Sequence, residues 1–306
     1  MEYYIVALYA VALVLALYKL FAAKDNRDLL LFMAFLVASW LLFNYEGLSN
    51  ATSVLLSGVI IFNLAASSFG RMRGNAFLII ALLYAAAALS YGAGAQALLQ
   101  SAVLGAVSSP RMYRHAGRKG VHRRTENLRN MFQIAAGVFF IAVFLLLQAI
   151  YASVTLFLAF VAGMAISNVV ISSKGGRIRI LGALEREGAE FGHGAFWLGA
   201  GALLAAGFLS PPMAIVAFSA IFIADSFSTI AGVHLGSAKL PYNRKKSVIG
   251  TLAYFTTVLL MSFPIILYAA LPVAAAAALV ESLPVHLDDN FDVAAVLAIV
   301  MRIVYL

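Results

Sequence analysis

Long stretches without a charged residue set the pattern of this chain. No Asp, Glu, Lys or Arg occurs from Tyr3 to Tyr18, Leu29 to Tyr45, Gly47 to Gly70, Gly74 to Pro110, Asn130 to Ser173, Phe191 to Ala224, or Ser247 to Val280. A hydrocarbon core of about 30 Å takes roughly 20 apolar residues per helix, so the longest of these stretches hold two helices each. The polar breaks predict helices at 3–22, 29–44, 50–69, 75–91, 93–109, 131–149, 152–172, 193–209, 212–236 and 248–271. A shorter apolar segment follows at 273–283, then a last helix at 291–306. Only α-helices satisfy their own backbone polar groups in lipid over runs this long, which excludes a barrel. The expected fold is all-α: a polytopic integral membrane protein with about ten full transmembrane helices, a short helix and a final helix.

Composition agrees. Of 306 residues, 63% are hydrophobic and 11% charged, more apolar surface than one soluble core buries. The formal charge of +8 would suit nucleic acid, but the basic residues fall in short loops between apolar spans, the pattern of membrane orientation. No nucleic-acid partner is expected; the lipid bilayer is. With Lys19, Lys24 and Arg27 in the cytoplasm, alternation places Arg71, Arg73, the cluster Arg111 to Arg129, the group Lys174 to Arg186, and Lys239 with Arg244 to Lys246 on the same side. That accounts for 20 of the 21 Lys and Arg and leaves Arg302 inside the final helix. The absence of cysteine excludes a disulfide framework or a Cys metal site. Met1-Glu-Tyr-Tyr4 lacks the basic start of a cleaved signal peptide, so the first span is expected to be retained. The most polar stretch divides the chain into N-terminal helices of unknown role (1–110), a basic cytoplasmic linker near anionic headgroups (111–129) and a core (130–306).

Three elements of the core could carry chemistry. A carboxylate inside a membrane helix is costly, and Asp225 lies near the middle of 212–236. Asp225, Ser228, Thr229, Gly232 and Gly236 recur at three- and four-residue spacing, a polar and small stripe that can line a cavity. The alternative is a buried Asp paired with a lysine or hydrogen-bonded to neighbouring helices. Next comes Leu240-Pro-Tyr-Asn-Arg-Lys-Lys-Ser247, where Ser247 as N-cap beside Arg244, Lys245 and Lys246 makes a polyphosphate site at a helix start. Walker A, dinucleotide-glycine and kinase catalytic-loop patterns are absent. The third element is Glu281-Ser-Leu-Pro-Val-His-Leu-Asp-Asp-Asn290. Starting from the outside, a short helix over 273–284 would cover about 18 Å and bring Asp288 and Asp289 near the depth of Asp225. There they suit Mg²⁺, or else form a solvated turn capping the last helix.

The order and spacing of these elements resemble the dolichol kinase and phytol kinase family, membrane enzymes related to phosphatidate cytidylyltransferases. The likeness rests on Asp225 to Gly236, Lys239 to Phe255, and Glu281-Ser-Leu-Pro with Asp288-Asp-Asn290. Upstream, Glu126-Asn-Leu-Arg-Asn-Met-Phe-Gln133 is similar to the family's Glu-x-x-Arg-Lys-x-x-His; Arg129 matches, but Asn130 and Gln133 depart from the Lys and His. The resemblance implies transfer of the terminal phosphate of CTP to an isoprenoid alcohol of dolichol, polyprenol, phytol or geranylgeraniol type, with Mg²⁺. It implies Asp225 and Asp289 as catalytic residues and Asp225, Asp288 and Asp289 as metal ligands. Lys239, Arg244, Lys245, Lys246, Ser247 and Gly250 would bind the nucleotide. The active site would open to the cytoplasm and admit the lipid alcohol sideways, with a homodimer allowed. Rival readings are a CTP-dependent cytidylyltransferase making a CDP-lipid, a CTP-dependent diacylglycerol kinase and, from another class, a membrane transporter.

Overall fold

In the computed structural model the described residues are 123–172, 192–284 and 288–305, with Leu99, Ala102, Val103 and Ala106 ahead of them. The expected helices at 3–22, 29–44, 50–69 and 75–91 lie outside the described residues, as do most of 93–109 and of the basic linker. What is described is helical apart from connecting turns and loops, one of which carries an isolated bridge.

Helix α1, Arg123–Leu146, starts inside the expected linker, so that Arg123 to Arg129 form its first turns. Helices α2, Ala149–Ser172, and α3, His193–Phe208, follow close to their expected bounds. The next span is not a uniform helix: α4, Pro211–Phe218, runs into a wide π-helical turn, Ser219–Ala224, and continues as α5, Asp225–His234. Pro211 suits the first turn of α4, where its missing N–H would have no partner anyway. Then come α6, Val248–Ile266, a tight turn at Leu267–Ala269, α7, Ala270–Ser282, and α8, Asp289–Val304.

Among the described residues, three stretches are long and apolar enough to cross a membrane: Glu126–Leu146, Pro211–His234 and Val248–Ser282. Helices α2 and α3 hold shorter apolar stretches, Ala149–Met164 and His193–Phe208. The third long stretch is a hairpin, because Lys246 just ahead of α6 meets Glu281 at the end of α7. The 19 residues of α6 and 13 of α7 rise about 28 and 20 Å. The reversal sits at Leu267, whose φ of 45° is one that few side chains adopt without tertiary support. Tyr305 supplies some, its hydroxyl donating to Ile266 O at 3.1 Å.

Of the described residues, those within 123–152 and 197–305 pack as one compact unit, and those within 153–196 belong to another. In the second, the Phe160 and Phe196 rings lie 5.6 Å apart. In the first, α1 turns a buried seam of Glu126, Asn130, Gln133, Gly137 and Phe144 inward at three- and four-residue spacing. Phe144 meets Phe218 edge-on at 5.0 Å, and Phe140 meets Phe222 at 5.9 Å. Gly137 permits this approach, since a Cβ there would lie 3.2 Å from Phe222 Cγ. Arg302, which the orientation pattern left over, donates from Nε to Phe208 O at 3.3 Å. A cation there complements the carbonyl end of α3.

Candidate active site

The π turn sets the position of Asp225. Its backbone N–H reaches back five residues to Ala220 O, so Ile221 O lacks the donor an α-helix would give it. Gln133 on α1 supplies one: its Nε2 donates to Ile221 O at 2.9 Å and to Asp225 Oδ2 at 2.9 Å. Both acceptors need N–H donors, so chemistry fixes which end of the amide faces them. Ser219 and Ser226 flank the wide turn and donate to Ile215 O and Phe222 O, four residues back. Asp225 is thus hydrogen-bonded to a neighbouring helix, as the alternative reading of its span held, and it remains partly exposed.

The loop after α5 is a small closed hairpin. Lys239 and Ser247 form an antiparallel bridge, Leu240 N–H donates to Lys246 O, and Val248 N–H donates to Ala238 O. Ser247 is the N-cap of α6, as its position predicts, accepting from Gly250 N–H at 3.1 Å. The glycines of the α5 stripe are filled by this cap. A Cβ on Gly232 would lie 3.0 Å from Ser247 Oγ, one on Gly236 would collide with Ser247, and one on Gly250 would lie 3.0 Å from Ser228 O. The stripe expected to line a cavity therefore packs α5 against the start of α6 beyond Ser228.

At the far side of the loop stands the end of α7. Asn243 donates from Nδ2 to Ser282 O at 2.9 Å and accepts from Lys245 N–H at 3.3 Å. The Tyr242 hydroxyl lies 2.9 Å from Ser282 Oγ. Glu281, only 2% exposed, accepts from Lys246 Nζ at 2.6 Å and from Ser228 Oγ at 3.2 Å. Lys246 also reaches Asp289 Oδ2 at 2.7 Å. Burial alone would lower the Lys246 pKa, but the charges of Glu281, Asp289 and Asp225 outweigh it and hold the ammonium well above its ordinary 10.5.

The adjacent carboxylates at the start of α8 have separate positions. Asp288 is the N-cap, accepting from Asn290 N–H at 3.1 Å, as the capping alternative held, whereas Asp289 faces Lys246. Lys239, Arg244 and Lys245 are exposed, while Ser247 and Gly250 are buried with Ser247 Oγ on Gly250 N–H. Of the residues singled out in the sequence, Asp225, Lys246 and Asp289 converge electrostatically. Two partners were assigned no role in the sequence: Gln133, which departs from the family pattern, and Glu281, a lone carboxylate closing an apolar helix.

Among the described residues no three His, Asp or Glu side chains are arranged to hold a metal ion. Mg²⁺, however, usually takes one or two protein carboxylates and fills its shell with water and substrate phosphates. Asp225 and Asp289 each keep one oxygen outside the contacts just described. A free carboxylate oxygen is the donor type such a cation takes. Two buried polar atoms of this site have no protein partner, Glu281 Oε2 and Tyr254 Oη.

The chain is 37% identical over 100 residues to a protein of Glycine max named probable phytol kinase 2, chloroplastic, covering 27% of this chain and 34% of that one. The similarity is to isoprenoid-alcohol kinases. A probable phytol kinase of Zea mays matches at 37% over 100 residues, 27% of this chain and 33% of that one. A farnesol kinase of Arabidopsis thaliana matches at 33% over 101 residues, 28% and 33%. The matched region spans about a third of the length of these curated relatives. No family model matches the chain, and no solved structure does.

Proposed function

We propose that this chain is a membrane-embedded kinase that moves the terminal phosphate of CTP onto the hydroxyl of an isoprenoid alcohol. The similarity to phytol and farnesol kinases supports the acceptor class, and the family resemblance of the loop and closing motifs supports CTP as donor. The observation that carries the reading is the junction where Lys246 joins Glu281 and Asp289 beside Asp225.

Phosphoryl transfer needs positioning and charge neutralisation more than covalent chemistry. Asp225, Glu281 and Asp289 outnumber the cation Lys246 at this place, so a cation–nucleotide complex is favoured over a bare nucleotide. Asp225 and Asp289 would hold Mg²⁺, which when bound would supply charge neutralisation for the phosphates. Lys246 faces the transferring phosphate, and the exposed Arg244 and Lys245, with Lys239, meet the rest of the nucleotide. Ser247 and Gly250 act by holding the start of α6. The alcohol oxygen forms a bond to the γ-phosphorus as the bridging bond to the β-phosphate breaks. The alcohol's proton passes to water at the exposed edge of the site, and CDP leaves.

The acceptor hydroxyl would enter from the bilayer with its chain still in lipid, and the loop would face the cytoplasm as the basic-residue pattern requires. The test is to incubate the purified chain with phytol, farnesol, geranylgeraniol and a polyprenol, each with γ-labelled and α-labelled CTP. The γ label should enter the lipid and the α label should remain in water as CDP. Recovery of α label in lipid, with pyrophosphate released, would overturn the kinase in favour of a cytidylyltransferase.

A further inference from the structure

We propose that Glu281 is the positioning residue for Lys246: it fixes the ammonium at the site and acts on turnover only through that lysine. The inference rests on reading this site as the place of phosphate transfer. A carboxylate in the last turn of a helix faces the negative end of the helix dipole, and burial adds to its cost. Glu281 bears both, at 2% exposure. Its compensation is one-sided: Oε1 takes Lys246 at 2.6 Å and Ser228 at 3.2 Å, while Oε2 has no protein partner. Lys246 thus sits between unequal carboxylates, because the Asp289 side chain is 36% exposed. Glu281 is the fixed end, and Asp289 is the end that solvent or a cation can reach. When Asp289 is engaged, only Glu281 keeps the ammonium in place.

The neighbouring contacts have the same sense. Ser282 holds the loop that carries Lys246, through Tyr242 and Asn243. Ser228 ties Glu281 to α5, one helical turn beyond Asp225. The residue pair 281–282 is therefore where the basic loop docks, and Glu281 is its charged half.

The test uses the full chain in lipid nanodiscs and has two independent readouts. In the first, an amine-selective reagent labels lysines at about pH 9 and mass spectrometry reads Lys246 against the exposed Lys245. Glu281→Gln removes the ion pair that pins the Lys246 ammonium, so labelling of Lys246 should rise several-fold while that of Lys245 stays unchanged. Equal Lys246 labelling in both proteins would overturn the proposal. In the second, kcat is measured for Glu281→Gln, Lys246→Met and the double variant. Each single change should lower kcat about 100-fold, and the double variant should be no worse than Lys246→Met. A double loss equal to the product of the single losses would show that Glu281 acts apart from Lys246 and would overturn the proposal.

Should Glu281→Gln fail to fold, Glu281→Asp withdraws the carboxylate by one methylene and should still raise Lys246 labelling; unchanged labelling there would count against the proposal. If the labelling contrast appears and no alcohol is phosphorylated, the positioning role stands and the kinase reading fails.

Discussion

The two walls of the site hold their carboxylates by different means. On the α4–α5 wall, Asp225 is gripped by a neutral amide: Gln133 bonds one oxygen and the carbonyl that the π turn frees. On the opposite wall, built from the loop before α6, the end of α7 and the start of α8, Glu281 and Asp289 are gripped by a cation, Lys246. An amide orients a carboxylate and leaves its charge whole, whereas an ammonium neutralises what it holds. Asp225 is thereby suited to bind a metal, and Asp289 to share a cation and yield it.

The contrast breaks most severely at Asp225. Asp225→Asn keeps an oxygen for Gln133 but removes the charge, so activity should fall about 1,000-fold or more with little change in the unfolding temperature. A loss of stability as large as the loss of activity would make Asp225 a structural group. Lys246→Met should lower stability as well as turnover. It leaves Glu281 buried without its cation, which costs about 3 kcal/mol in detergent unfolding, and Lys246→Met with Glu281→Gln should recover part of that. Because the Lys246 pKa is raised, its contribution is full below its ordinary 10.5 and is lost only as pH rises through the higher folded value. Stability should therefore not decline on this account between pH 6 and about 10.

Gln133→Leu should weaken the metal dependence of activity by about 10- to 100-fold, with a smaller change at saturating metal. An unchanged metal requirement would detach Gln133 from Asp225. Gly250→Ala, which presses a methyl group on Ser228 O and Ser247 Oγ, should cost about 1–3 kcal/mol. Smallest of all, Arg244→Ala or Lys245→Ala on the exposed tip should raise the nucleotide KM a few-fold, roughly 1 kcal/mol or less, and spare kcat.

Much of this was readable before the fold. The Ser247 cap follows from a Ser after three basic residues at the head of an apolar run, and α2, α3 and α8 lie within a few residues of their expected bounds. The short return helix after 271 was legible in the length of its apolar segment, although the reversal comes earlier, at Leu267. The wide turn before Asp225 was not legible, because Ser219–Ala224 reads as ordinary apolar helix and a π turn depends on tertiary partners such as Gln133. The small-residue stripe on α5 gave the right face, and its glycines lie against Ser247: spacing shows that side chains are small, not which neighbour lies against them. Asp288 and Asp289 looked equivalent in sequence. One step at a helix start separates a cap from a residue facing the site.

The central claim is that both walls close on one cation–nucleotide complex. It is tested most directly by titrating Mn²⁺ into the protein with and without CTP, following free Mn²⁺ by electron paramagnetic resonance, in the wild type, Asp225→Asn and Asp289→Asn. The account predicts CTP-dependent Mn²⁺ uptake that each substitution weakens by at least about tenfold. Uptake that one of the two substitutions leaves unchanged would contradict it.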